Sequence, residues 1–190
     1  MAKNGYRTTH ITSQMVGTAV TNTTTPTSIL PGGAIYSFLA NFFDVAGVTI
    51  EWDVRGIITS PVTPGGTLTL DARLGAVIIF TSQAITLNAT AMTNQTFIFR
   101  GKSTLQQIDT AAGGTTATFK SVAEFISRDI SGVGASPGAV GTLLCPETSP
   151  AAGTGFDMTG SQAFNIFATW QVALSTYSIQ SHLFTLESLN

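Results

Sequence analysis

Apolar and polar residues alternate along most of this chain with a period of two. From Val48 to Ile58, the residues Val48, Ile50, Trp52, Val54 and Ile58 share one side, while Thr49, Glu51, Asp53 and Arg55 share the other. That pattern marks a strand with one buried and one wetter face. Asp53 and Arg55 lie two apart on the wetter face and are placed to pair. Leu68, Leu70, Ala72 and Leu74 repeat the pattern against Thr67, Thr69, Asp71 and Arg73. Between the two runs, Ser60-Pro61-Val62-Thr63-Pro64-Gly65-Gly66 breaks both helix and strand, so the order is strand, loop, strand. Gly75 and Ala76 then precede a short strand, Val77-Ile78-Ile79-Phe80.

Four later runs read as strands too: Gln95 to Ile108, Thr115 to Ser127, Phe164 to Val172 and Tyr177 to Leu186. In the second, the apolar positions Phe119, Val122, Phe125 and Ile126 slip once near Ala123, which predicts a bulge there. In the last, the alternation of Tyr177, Ile179 and Leu183 shifts at Phe184. The segments 109–114 and 131–141 are Gly/Ala/Ser loops. Leu39 to Val45 reads as one helical turn or as an apolar corner between strands. Eight to ten strands with no long helix predict a single all-β sandwich or barrel. Residues 1–13 are polar and aperiodic. They read as an N-terminal arm that orders only against a partner, or as a frayed terminus, ahead of one domain over 14–190.

Composition changes this picture in one respect. Only 9% of the 190 residues are charged, against about 25% in an ordinary soluble domain. Thr, Ser, Ala and Gly take their place, and the mean hydropathy is +0.30. A dispersed particle with so little charge is poorly protected against association. Much of the outer surface is therefore expected to be covered by neighbouring copies, the alternative being a monomer with a neutral hydroxyl surface. The net charge of -2 leaves no basic stripe for nucleic acid. The one basic local feature is the N-terminus, where Lys3, Tyr6 and Arg7 are the candidate partner-binding residues. No apolar run is long enough to cross a bilayer as a helix and no signal peptide is expected, so export is not anticipated.

Candidate chemistry is sparse. Cys145 is the sole cysteine and lies among Leu143, Leu144 and Pro146, which suits a small buried hydrophobe better than a nucleophile. The two histidines, His10 and His182, are the only available centres for a Ser-His-Asp arrangement. No Gly-x-Ser-x-Gly elbow accompanies Asp157 or Glu187. Zinc would need more Cys and His than the chain holds, and no clustered carboxylates suggest calcium. Glu51, Asp53 and Asp71 could serve as paired carboxylates for glycoside hydrolysis, but pairing with Arg55 and Arg73 on the same face is the reading preferred. Trp52 and Trp170 fall on core positions. The Asn-x-Thr triplets at Asn22, Asn88 and Asn94 are expected by chance in so Thr-rich a chain. No cofactor is expected, and no enzymatic activity.

The order of several segments carries a resemblance. Thr25-Pro26-Thr27-Ser28-Ile29-Leu30-Pro31 is followed by Leu39-Ala40-Asn41-Phe42-Phe43, by Thr63-Pro64-Gly65-Gly66-Thr67-Leu68-Thr69-Leu70-Asp71-Ala72-Arg73-Leu74-Gly75, by Gly153-Thr154-Gly155-Phe156-Asp157 and by Leu186-Glu187-Ser188-Leu189-Asn190. Over residues 20–190 the chain resembles the small jelly-roll structural proteins of tailed bacteriophages. The resemblance implies a jelly-roll-like antiparallel β-sandwich in the virion, assembled in the host cytoplasm. It also implies a homotrimer that decorates the shell against the major capsid protein, or else a head-fibre or tail-appendage domain that binds a receptor or glycan. It brings no catalytic residues with it.

Overall fold

A computed structural model describes residues 6–61, 66–108, 115–133, 138–146, 151–153 and 155–189. The described strands are β1 (Arg7–Ser13), β2 (Val20–Thr21), β3 (Thr27–Ser28), β4 (Tyr36–Phe38), β5 (Thr49–Ser60), β6 (Thr67–Leu74) and β7 (Val77–Thr81). They continue with β8 (Ile85–Thr86), β9 (Met92–Gln107), β10 (Thr118–Ser127), β11 (Gly141–Cys145), β12 (Ala151–Ala152), β13 (Gln162–Trp170) and β14 (Ser178–Leu189). Nine have five residues or more, within the expected eight to ten. The rest have two or three, too few to show a period. Among the described residues the only helical element is a 3-10 turn at Gly32–Ala34. Leu39 to Val45 is the apolar corner rather than a helical turn, and Phe42 and Phe43 turn inward from it onto Phe38.

Two antiparallel sheets pack face to face, so the chain is a β-sandwich. The larger runs β1-β14-β5-β9-β10-β11, with β2 also on β14 and β12 on β10. The smaller runs β3-β13-β6-β7, with β4 on β13 and β8 on β6. The chain passes from β5 to β6 and returns from β13 to β14, with β5 paired to β14 and β6 to β13. That nesting of one strand pair inside another is the winding of a jelly-roll ribbon.

The core follows from the inward positions. Trp52, Phe99 and Phe184 of the larger sheet meet Phe80 and Phe164 of the smaller, with Trp52–Phe164 ring centroids 5.7 Å apart. Trp52 needs room on its own sheet, and the neighbouring inward positions supply it. Gly101 pairs directly with Trp52, and Ala123 with Gly101. The indole lies across Gly101, leaving no space for a Cβ. At the next inward position, Ser103 and Ser121 face each other with their hydroxyls 2.6 Å apart. Ser121 then donates to the Ile79 carbonyl of the opposite sheet at 2.9 Å. These small residues explain where the expected bulge near Ala123 went. β10 alternates cleanly, with Phe119, Ser121, Ala123, Phe125 and Ser127 inward and Val122 outward, and its register shifts between Thr118 and Phe119 instead. The shift expected in the last strand is present. β14 slips against β5 between Ser181 and Leu183, turning Leu183 outward and Phe184 inward.

The N-terminal segment differs from the arm expected over 1–13. Arg7 to Ser13 is β1, an edge strand of the larger sheet laddered onto β14 within the same chain. His10 sits at its bulge, between Thr9 and Ile11 in the register. Its ring enters a pocket formed by Tyr36, Phe38 and Phe42 at centroid distances of 4.8, 5.0 and 5.3 Å. The ring also bonds the Ser188 hydroxyl at 2.8 Å. A polar-looking sequence thus hides a half-buried anchor and a strand that extends the sheet.

Candidate functional site

The outward face of the larger sheet gathers charge that is far apart in sequence. Antiparallel register places Glu187, Glu51 and Lys102 in one cross-strand row, and Thr185, Asp53, Arg100 and Glu124 in the next. Arg55 follows beside Leu183. With Arg7 on β1 and Lys120 on β10, nine of the eighteen charged residues of the chain point from this one face. Among the described residues the strands of the smaller sheet carry two, Asp71 and Arg73.

The rows explain the pairing. Glu187 and Glu51 are directly opposed, an arrangement that repels. Arg7 bridges them, its guanidinium on Glu51 and, at 2.8 Å, on Glu187. Lys102 meets the other Glu51 oxygen at 3.0 Å. Arg55 binds Asp53 through two nitrogens at 2.8 and 3.0 Å, and Arg100 binds Glu124. Partial burial pushes the Glu51 carboxyl up, but hydrogen bonds and charge from Lys102 and Arg7 outweigh it and hold Glu51 below its usual range. The face is concave, enclosing a groove of about 710 Å³ whose apolar margin is Val122, Leu144 and Leu183, the last two 60% and 45% exposed.

Of the predicted partner-binding residues, Arg7 is engaged within its own chain, Tyr6 is 68% exposed beside it, and Lys3 lies outside the described residues. Glu51 and Asp53 do share a face, and Asp53 pairs with Arg55 as expected. Glu51 instead takes Arg7 and Lys102. Asp71 is on the other sheet, paired with Arg73 at 2.8 Å, so the three carboxylates do not form one cluster. Arg73 also lies over the Phe167 ring at 4.4 Å. The sequence did mark the outward positions of β5, but it carried no register, and Arg7, Lys102 and Glu187 meet only once the register is known.

The remaining titratable groups sit apart. His10 is in its aromatic pocket, and His182 bonds Gln180 at 3.3 Å. Cys145 is buried, and burial pushes its thiol up to about 11. Asn88 is unsuited to glycosylation because it is buried and its amide donates to the Val133 carbonyl at 3.0 Å. Trp52 and Trp170 are buried. At one end of the sandwich Asp129 is fully buried. One of its oxygens accepts from the Ser60 hydroxyl at 2.8 Å and the Asn88 backbone N–H at 3.3 Å, the other has no partner among the described residues, and burial raises the carboxyl to about 6. Asp109 and Glu147 lie outside the described residues. Among the described residues no three His, Cys, Asp or Glu side chains group as metal ligands, and no helix is long and apolar enough to cross a membrane.

No protein-family model matches the chain, and no curated protein matches it. Among solved structures, the CBM2 module of the Lactobacillus casei BL23 phage J-1 evolved Dit is similar at 10% identity and a TM-score of 0.34, over 82% of this chain and 68% of that one.

Proposed function

We propose that this chain is a non-enzymatic structural subunit of a virion, a trimeric decoration protein that works in copies and stabilises the shell formed by the major capsid protein. The observation that carries the reading is the distribution of charge. A chain with few ions places half of them on one sheet face and leaves the described strands of the other sheet with the single Asp71–Arg73 pair. Neutral Thr, Ser and Ala faces pack against protein without stripping water from ions, a step that costs several kcal/mol per ion when unpaired. A closed ring of copies would also cover sheet edges that otherwise invite further pairing. A subunit that binds only the assembled shell stabilises that shell by mass action. The resemblance to small jelly-roll proteins of tailed phages points the same way. The decisive experiment is imaging of particles bearing a labelled copy of the chain. Density at regular positions on the shell exterior supports the reading, and particles of full stability without the chain refute it.

The groove on the charged face favours a second reading, a fibre or appendage domain that holds a receptor or glycan there. Its paired Arg, Asp and Glu side chains can exchange hydrogen bonds with hydroxyl-rich ligands. A glycan array would find hits that vanish on Arg100→Ala if this is the role.

A further inference from the structure

We infer that the groove on the outer face of the larger sheet holds an extended acidic segment of a partner protein. This rests on the structural role proposed above and names the surface that meets the partner. The face carries five cations and four carboxylates, a near balance, but the two signs lie at different depths. The side chains of Arg7, Arg55, Arg100 and Lys102 are 49–56% exposed, whereas those of their partners Glu51, Asp53, Glu124 and Glu187 are 22–31% exposed. The cause is reach. The carboxylates end close to the sheet, while the longer basic side chains bend over them and keep their charged ends in water. An approaching partner therefore meets cations first. An arginine fork also has more N–H donors than one carboxylate oxygen can take, so a paired guanidinium still binds a second acceptor.

The spacing selects the form of the occupant. Arg100 and Lys102 stand two residues apart on β9, about 7 Å. Arg55 and Arg100 are diagonal neighbours on β5 and β9, roughly 7 to 8 Å apart. Alternate side chains of an extended peptide repeat at about 7 Å too. Apolar side chains close the groove at both ends, Leu183 on β14 and, four strand spacings away, Leu144 on β11 with Val122 beside it on β10. Four spacings of about 4.8 Å make about 19 Å, the reach of about six residues of extended chain at about 3.3 Å each. A segment with apolar side chains at its first and seventh positions and carboxylates at its third and fifth thus meets leucines at the ends and cations between. Spaced charges also suit the floor, because Glu51, Asp53 and Glu124 repel a continuous run of anions such as a phosphate backbone. A sugar ring would pack on an exposed aromatic ring, and among the described residues the rings lining the groove, Trp52 and Phe184, are both buried.

The probe is a synthetic seven-residue peptide with leucine first and last, glutamate third and fifth, and serine elsewhere. It is titrated into the full chain and followed by amide chemical shifts in NMR spectra, with far-ultraviolet circular dichroism reporting the fold of each variant. The expected result is saturable binding with shifts gathered at Arg55, Arg100, Lys102 and Leu144. Binding is expected to weaken at least tenfold when glutamine replaces both glutamates of the peptide, in Arg100→Gln and in Leu144→Ser. It is expected to be unchanged by Thr169→Ala on the smaller sheet. If Arg100→Gln does not fold, Lys102→Gln takes its place. A peptide that shifts no residue of the groove overturns the inference. So does a hexamer of galacturonate that binds there at least tenfold more tightly than the peptide, which would make the groove a glycan site. Both results leave the structural role standing where labelled copies still occupy the particle. Particles fully stable without the chain remove that role itself, whatever the groove binds.

Discussion

Asp129 is the group whose environment departs furthest from what its chemistry prefers. It lies in the turn after β10, holding that turn to the end of β5 through Ser60 and to the segment after β8 through Asn88. With one oxygen unpartnered among the described residues and the other held only by the neutral Ser60 hydroxyl and Asn88 backbone N–H, its carboxyl rises from an ordinary value near 3.8 to about 6. A raised carboxyl binds its proton more tightly in the folded than in the unfolded chain. The stabilisation is therefore complete below the unfolded value and is lost as pH rises through about 6. Between about pH 7.5 and pH 4.5 the linkage amounts to about 2 kcal/mol, or roughly 4 to 8 °C in Tm for a chain of this size. His10 works in the opposite direction, because burial lowers its pKa and favours the neutral ring. Its contribution is present above the ordinary value near 6.5 and is lost as pH falls through the lowered folded value. The raw pH profile of the wild type thus mixes the two, and the informative quantity is the difference between wild type and Asp129→Asn. Thermal melts of both proteins across pH 4.5 to 8 isolate it. The variant is expected to match or exceed the wild type near pH 8 and to lose the relative gain that the wild type shows on acidification. Parallel profiles for the two proteins would refute the placement of Asp129 in a dry, half-satisfied site.

Other outcomes follow from the packing and the ion rows. Gly101→Ala drives a Cβ into the Trp52 indole and is expected to cost about 1 to 3 kcal/mol in a chemical-denaturation series, with altered tryptophan fluorescence. Arg7→Ala leaves Glu51 and Glu187 facing each other unbridged. A loss of roughly 0.5 to 1 kcal/mol is expected, reduced by high salt, with faster amide exchange in β1 than in β5. Cys145, buried and with its thiol raised to about 11, is expected to resist a thiol reagent near pH 8 in the native protein and to react at once after denaturation.

Where side chains alternate in size as well as polarity, the strands were legible from the chain alone. β5, β6 and β13 carry apolar residues at nearly every second position, most of them large, and their inward faces matched the reading. β10 misled because two of its core positions are Ser121 and Ala123, small residues chosen by the bulk of Trp52 two strands away and by the Ile79 carbonyl across the core. Only the partner makes such residues readable as core. β1 misled for a related reason. Its sequence is polar, yet His10 is held by aromatic rings from β4 and the following corner, and Arg7 by carboxylates on β5 and β14. The charged face was half visible. The outward Glu51, Asp53 and Arg55 were evident, but Lys102 and Glu187 join them through register, which a single sequence does not encode locally.

The mass of the native chain in solution tests the multi-copy role most directly. Sedimentation equilibrium of the full-length protein at micromolar concentration is expected to return three times the 19.8 kDa of one chain, unchanged on dilution over a tenfold range. A mass of a single chain throughout that range, in a protein that is folded and stays clear, would contradict a surface built to be covered by its own copies.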